Sequence, residues 1–186
     1  MCTSVNKVDG ITHYFKNWEE KDGKIKMLDA IKRTSAAPFY FNHIKDGKNV
    51  WLDGGSGNAN CPLLEAFIDM IKLGYIKEKV SLVSIGTGYL SHQKSYEEAI
   101  KYGVVGDFLS YADPVNGGMD RNQSTRVSIE MIKTLCSCFP NITFQRINEE
   151  IDKKIFGMDK IKYKKEYEEI GKNWINKINI NLLKGE

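Results

Sequence analysis

The 186 residues, 41% hydrophobic and 27% charged, suffice for one globular core and are too apolar for bulk disorder. The formal charge of +3 and an isoelectric point near 8.5 come from lysines scattered among glutamates, not from the clustered basic face with interleaved aromatics that nucleic-acid binding needs. No apolar run reaches the roughly 18 residues of a membrane-spanning helix, and Met1-Cys2-Thr3-Ser4 has neither the basic start nor the apolar stretch of a signal peptide, so a cytoplasmic chain is expected, with membrane contact peripheral at most.

Residues 2–16 read as a hairpin that turns at Val8-Asp9-Gly10, with Ile11, His13 and Phe15 alternating with Thr12, Tyr14 and Lys16. Trp18 to Lys26 is polar and reads as a loop. Helix signals begin near Met27-Leu28-Asp29-Ala30-Ile31 and stop at Pro38, because the residue before a proline is pushed out of helical conformation. Lys45-Asp46-Gly47-Lys48 reads as a turn from which Asn49-Val50-Trp51-Leu52 returns as a strand ending at Asp53. Pro62 to Leu73 reads as a helix: Leu63, Leu64, Phe67, Ile68 and Ile71 recur at three- and four-residue spacing, and Gly74 ends it. That apolar face is expected to lie on a sheet.

Val80 to Ile85 is a β-branched run closed by Gly86-Thr87-Gly88, the pattern of a buried strand. A dinucleotide-binding turn would need a third glycine at position 91, where Ser91 stands. Ser95-Tyr96-Glu97-Glu98 is a capping box for a helix closed by Gly103, and Asp107 to Ala112 reads as a further short helix. A longer helix is expected from about Asp120 to Cys136, then a short strand over Ile142 to Ile147. A terminal helix over 163–178 carries Tyr167, Ile170, Trp174 and Ile178 on one face. The lysines at 160, 162, 164 and 165 are followed by glutamates at helical spacing and read as a solvated face, with anionic lipid head groups as the alternative partner. With no repeat or low-complexity segment, residues 1–186 read as one unit.

Cys2, Cys61, Cys136 and Cys138 have neither metal-binding nor redox spacing, and His13, His43 and His92 fall in no metal-binding pattern. No metal and no cofactor is expected.

The chemistry concentrates around Asp53-Gly54-Gly55, which follows Thr34-Ser35-Ala36-Ala37-Pro38 by fewer than twenty positions. A carboxylate at a strand end, followed by two residues without side chains, can be approached closely by other backbone. It suits a catalytic base. The alternative is a turn-forming aspartate that accepts from its own backbone two residues on. Small-residue bend, Asp-Gly-Gly, a helix opened by Pro62 and the Ser84-Ile85-Gly86-Thr87-Gly88 signature, in this order, resemble the patatin-like phospholipases. The resemblance implies an α/β fold, part of a three-layer α/β/α domain with a mostly parallel sheet, and hydrolysis of phospholipid or acylglycerol esters by a Ser-Asp dyad without histidine.

By the same resemblance Asp53 is the base, partly desolvated, while Gly54, Gly55 and Asn60 support its turn. The sequence departs from the family in having Lys32-Arg33 before Thr34, where Arg-Ala is common, and in separating Asn58 from Asn60 by Ala59. The family's glycine-rich oxyanion loop and its Gly-x-Ser-x-Gly nucleophile elbow are both missing from these residues. Ser56, in Gly54-Gly55-Ser56-Gly57, sits in the wrong place to be that nucleophile. The chain therefore reads as the C-terminal part of such a domain. Its expected partners are a lipid substrate and either a separate N-terminal part of the domain or a second copy of itself. A non-catalytic remnant or interaction module is the alternative.

Overall fold

In the computed structural model the described residues are 1–57, 59–89, 97, 118–152, 154–155 and 160–179. They form a mixed α/β structure in two compact groups. The first comprises residues 1–69 and 108–131, the second residues 70–107 and 132–186.

The first group is built on strands β1 (Cys2–Asn6), β2 (Ile11–Phe15), β3 (Ile44–Asp46) and β4 (Asn49–Asp53), in the order β2-β1-β4-β3. Every pairing is antiparallel: Cys2 stands opposite Phe15, Ser4 opposite Asp53, and Lys45 opposite Val50. The β1–β2 hairpin is as read from the sequence, whereas the mostly parallel sheet implied by the resemblance is not what these four strands form. Turns as short as Lys7–Gly10 and Gly47-Lys48 can only join antiparallel neighbours, whereas a parallel step needs a crossover of a dozen residues or more. β3 had no sequence signal of its own, being three residues long and largely polar.

Helix α1 (Met27–Thr34) ends at Thr34, before the expected stop at Pro38, and Ser35 to Pro38 bend away from it. Helix α2 (Leu63–Lys72) forms within the predicted span. Its buried side chains are Phe67, Asp69 and Met70, whereas Ile68 and Ile71 are exposed, which corrects the expected apolar face. Periodicity identified residues that share a stripe but not the angle at which the stripe is covered. Phe15 and Trp51 are buried on one face of the sheet, their rings edge to face at 5.0 Å, and Val5 is buried on the other.

The second group contains β5 (Val80–Ile85) and β6 (Ile142–Ile147), a parallel pair in which Val80 aligns with Ile142 and Ile85 with Ile147. The expectation that β5 is a buried strand does not hold: within it only Ser84 is buried and Ile85 is exposed, as a strand with a single described neighbour allows. Helix α3 (Gly118–Ser137) and helix α4 (Lys164–Ile175), the latter after a 3-10 turn over Ile161–Tyr163, match the two late helices read from the sequence. Trp174 packs with Ile147 and Ile151 in a small core flanked by Ile155, Ile170 and Ile178. The helices expected from Ser95 to Gly103 and from Asp107 to Ala112 lie outside the described residues, Glu97 excepted. Among the described residues no helix is long and apolar enough to cross a membrane.

Candidate functional site

Asp53 is the last residue of β4, and its strand runs directly into a 3-10 turn over Gly54–Gly57. Its backbone N–H donates to the carbonyl of Ala36 at 3.1 Å. The Asp-Gly-Gly and the Ser-Ala-Ala-Pro bend, seventeen positions apart as counted from Ala36 to Asp53, are thereby joined. Ala36 is buried at the meeting point.

The two glycines are needed for close approach. A Cβ on Gly54 would overlap the Thr3 side chain and come within 2.8 Å of the Thr3 carbonyl carbon. A Cβ on Gly55 would overlap the Asn60 amide and lie 2.8 Å from Asp53 Oδ1. The 3-10 turn is thus pressed against β1 on one side and against Asn60 on the other. Three further bonds hold it: Ala59 N–H to Gly54 O at 3.1 Å, Thr3 Oγ1 to Ala59 O at 3.2 Å and Thr12 Oγ1 to Gly57 O at 3.4 Å.

The Asp53 carboxylate is half-buried and its Oδ1 accepts from the Gly55 N–H. That is the turn-forming role expected of an Asp-Gly-Gly, two residues on. One such bond leaves further acceptor capacity, because an ionised carboxylate has about four lone-pair sites. Asn60 is exposed beside Gly55, and Ser56 is half-buried within the 3-10 turn. Asn58 lies outside the described residues.

Ser4 is the cross-strand neighbour of Asp53 and is fully buried. Its hydroxyl donates to Leu52 O at 2.6 Å and lies 3.3 Å from Arg33 O. Arg33, just before the bend, is buried, with Nη2 2.7 Å from Asp46 Oδ2 and its guanidinium carbon about 5 Å above both the Phe15 and Trp51 rings. It braces α1 against the sheet.

A second polar cluster escaped the sequence reading. Lys16, placed by alternation on the polar side of β2, is only 3% exposed. Its Nζ donates to Glu65 Oε1 at 2.6 Å and to Asp69 Oδ1 at 2.9 Å, with Glu19 Oε1 at 3.4 Å. Burial works against the Lys16 charge, but the hydrogen bonds to Asp69 and Glu65 outweigh it and hold its pKa above the ordinary lysine value. The available signal was Glu65 and Asp69 four apart on an otherwise apolar helix, a like-charge pair that calls for a cation between them. Among the described residues no three His, Cys, Asp or Glu side chains are grouped to hold a metal ion. All four cysteines are unbridged.

In the second group, the Gly-Thr-Gly segment continues the β5–β6 pairing beyond the strands. Gly86 N–H donates to Ile147 O at 2.8 Å, Gly88 N–H to Asn148 Oδ1 at 2.8 Å and Tyr89 N–H to Glu149 O at 3.1 Å. Its glycines serve packing, since a Cβ on Gly88 would overlap Ile151.

No family model matches the chain. It is similar to a curated protein, the cGAMP-activated phospholipase of Escherichia coli (strain TW11681), at 38% identity over 98 residues, covering 47% of this chain. The chain spans 27% of that relative's length. The likeness is therefore to part of a phospholipase.

Proposed function

We propose that these residues belong to a patatin-like lipid acyl hydrolase, of three-layer α/β/α architecture, in which Asp53 is the general base. The observation that carries this reading is the junction itself: a half-buried carboxylate at a strand end, hydrogen-bonded through its own N–H to the small-residue bend, with two glycines pressed against neighbouring chain. The partial likeness to a phospholipase supports it. The reaction is attack of a serine hydroxyl on a fatty-acyl ester carbonyl. The hydroxyl proton passes to Asp53 and on to the lipid alcohol as its bond to the acyl carbon breaks; the acyl group is held as a serine ester until a water, losing its proton through Asp53 to the serine oxygen, releases it as the fatty acid. The serine comes from a segment other than these residues, with Gly54, Gly55 and Asn60 keeping the base in place.

The hydrogen bond from Gly55 to Asp53 Oδ1 favours a second reading, in which the aspartate only caps its turn and the chain is a non-catalytic interaction module. Two substitutions separate them. Asp53→Asn retains an acceptor for Gly55 and removes the base; Asp53→Ala removes both. The assay is hydrolysis of a p-nitrophenyl acyl ester by the chain mixed with a polypeptide carrying the glycine-rich loop and Gly-x-Ser-x-Gly elbow of a patatin-like domain. Neither polypeptide alone should turn over. The mixture should, and Asp53→Asn should cut the rate by about 10²–10⁴ while leaving the melting temperature unchanged. An Asp53→Asn mixture as active as the parent one would leave only the capping role. Turnover by the chain alone that vanishes in Asp53→Ala would place the nucleophile within it.

A further inference from the structure

Helix α1 is amphipathic, yet its apolar face is turned outward. Arg33 is buried and Asp29, Ala30 and Thr34 are half-buried, while Met27 (79% exposed), Leu28 and Ile31 stand in solvent. Spaced three and four apart, these three form one stripe. A helix of a globular domain ordinarily turns such a stripe to its core.

The chain then bends through Ser35 to Pro38 and presents three consecutive aromatic residues. Phe39 is 93% exposed, and Tyr40 and Phe41 are exposed as well. Their turn is firm, since the N–H groups of Tyr40 and Phe41 both donate to Ala37 O, at 3.2 and 2.9 Å. Phe39 has a φ of 73°, the left-handed region that side-chain-bearing residues rarely occupy, and such strain persists only where the surroundings hold it. An aromatic ring is thus displayed at conformational cost with almost none of its surface covered.

The charge around this surface is one-sided. Lys24, Lys26 and Lys32, on α1 and the residues leading into it, are all exposed, whereas of the two acids between residues 24 and 48, Asp46 is engaged by Arg33 and Asp29 is half-buried. Exposed apolar and aromatic side chains bordered by lysines are the composition that settles at the boundary between head groups and acyl chains of an anionic bilayer.

We propose that the face formed by α1 and the Phe39–Phe41 turn docks on an anionic phospholipid surface. The aromatic rings enter the interfacial layer and the lysines meet lipid phosphates and acidic head groups. The choice of a bilayer as partner rests on the lipid-hydrolase reading, and it brings the Ala36–Asp53 junction, next along the chain, to the substrate's own surface.

The test is sedimentation of the whole chain with vesicles of ether-linked lipids, which no esterase consumes. Vesicles of equal parts phosphatidylglycerol and phosphatidylcholine should carry the chain down, and pure phosphatidylcholine vesicles about tenfold less well. Phe39→Ser with Phe41→Ser should weaken binding about tenfold, as should Lys24→Glu with Lys26→Glu and Lys32→Glu, which should also remove most of the salt dependence. These positions are exposed, so circular dichroism should be unchanged. Asp53→Asn should bind as the parent does, so a failed hydrolysis assay with binding intact would sink the catalytic reading alone. Absence of binding to the anionic vesicles, or full binding by the serine double variant, would overturn the proposal. A dimer in light scattering that the same double variant dissolves would also overturn it and make a second copy the occupant.

Discussion

Replacing Lys16 by methionine tests how much of the first group depends on one buried cation. The substitution keeps most of the apolar stem and removes the ammonium, leaving the Glu65 and Asp69 carboxylates one helical turn apart, that of Asp69 almost fully buried. Removing one partner from a buried ion pair costs about 3–5 kcal/mol, and repulsion between like charges four apart adds a few tenths. With a urea m-value of about 2 kcal/mol/M, the unfolding midpoint should fall by about 1.5–2.5 M. Glu65→Gln is the control, because it leaves Lys16 paired with Asp69 and should cost about 1 kcal/mol.

The pH dependence follows from the sign of the shift. A lysine whose folded pKa is raised contributes its full stability below the unfolded pKa, about 10.4, and loses it as pH climbs through the folded value. The stability difference between the parent and Lys16→Met should therefore stay level from neutral pH to about pH 10 and narrow only above it. A loss below about 1 kcal/mol, or a difference that closes between about pH 7 and pH 9, would refute the reasoning.

Gly54→Ala should cost about 1–3 kcal/mol in the same titration, since the new methyl meets Thr3 backbone as well as its side chain; an unchanged midpoint would mean that the turn can shift away from β1. Phe39→Gly should raise the melting temperature by about 2–4 °C, because it relieves a left-handed residue at almost no loss of buried surface, and a fall would show that the ring makes stabilising contacts. Trp174→Ala should remove about 3–5 kcal/mol from the second group by opening a cavity beside Ile147 and Ile151, read by calorimetry, and a loss below about 1 kcal/mol would mean that the neighbouring side chains refill it.

Local chemistry was the legible part of this sequence. Val8-Asp9-Gly10 and Asp46-Gly47 marked hairpin turns, Pro62 and Gly74 bracketed α2, and the β-branched run from Val80 marked β5, because each of these depends on a few neighbouring residues. What lies opposite an element was not legible. Alternation placed Lys16 with the polar residues, and only the fold brings Glu65 and Asp69, some fifty positions on, to its ammonium. The apolar stripe of α1 had the spacing of a core face, and nothing within the helix announces that Arg33 turns inward to Asp46 and two aromatic rings instead. The direction of β1 and β2 followed from their hairpin turn, whereas the mostly parallel sheet came with the family resemblance and is not what the first four strands form. At the candidate site, the motif spacing singled out Asp53 and its glycines, while the hydrogen bond that ties Asp53 to Ala36 was beyond any reading of spacing.

The hydroxyl nearest to Asp53 in the sheet register bears on the proposed reading, in which the alcohol comes from another segment. Ser4 stands directly opposite Asp53, yet its single proton is committed to Leu52 O and the residue is fully buried, so no ester could reach it. Ser56 shares the 3-10 turn whose glycines are wedged against Thr3 and Asn60. On the proposed reading, Asp53 is held by constraints that also keep Ser4 from using it. An aspartate whose only task was to cap a turn would not need Gly54 driven onto β1 or an alanine buried against its amide, since its bond to Gly55 is satisfied within three consecutive residues. The additional fixation makes sense when the position of the carboxylate relative to another segment matters, which is the geometric demand of proton transfer from an incoming hydroxyl.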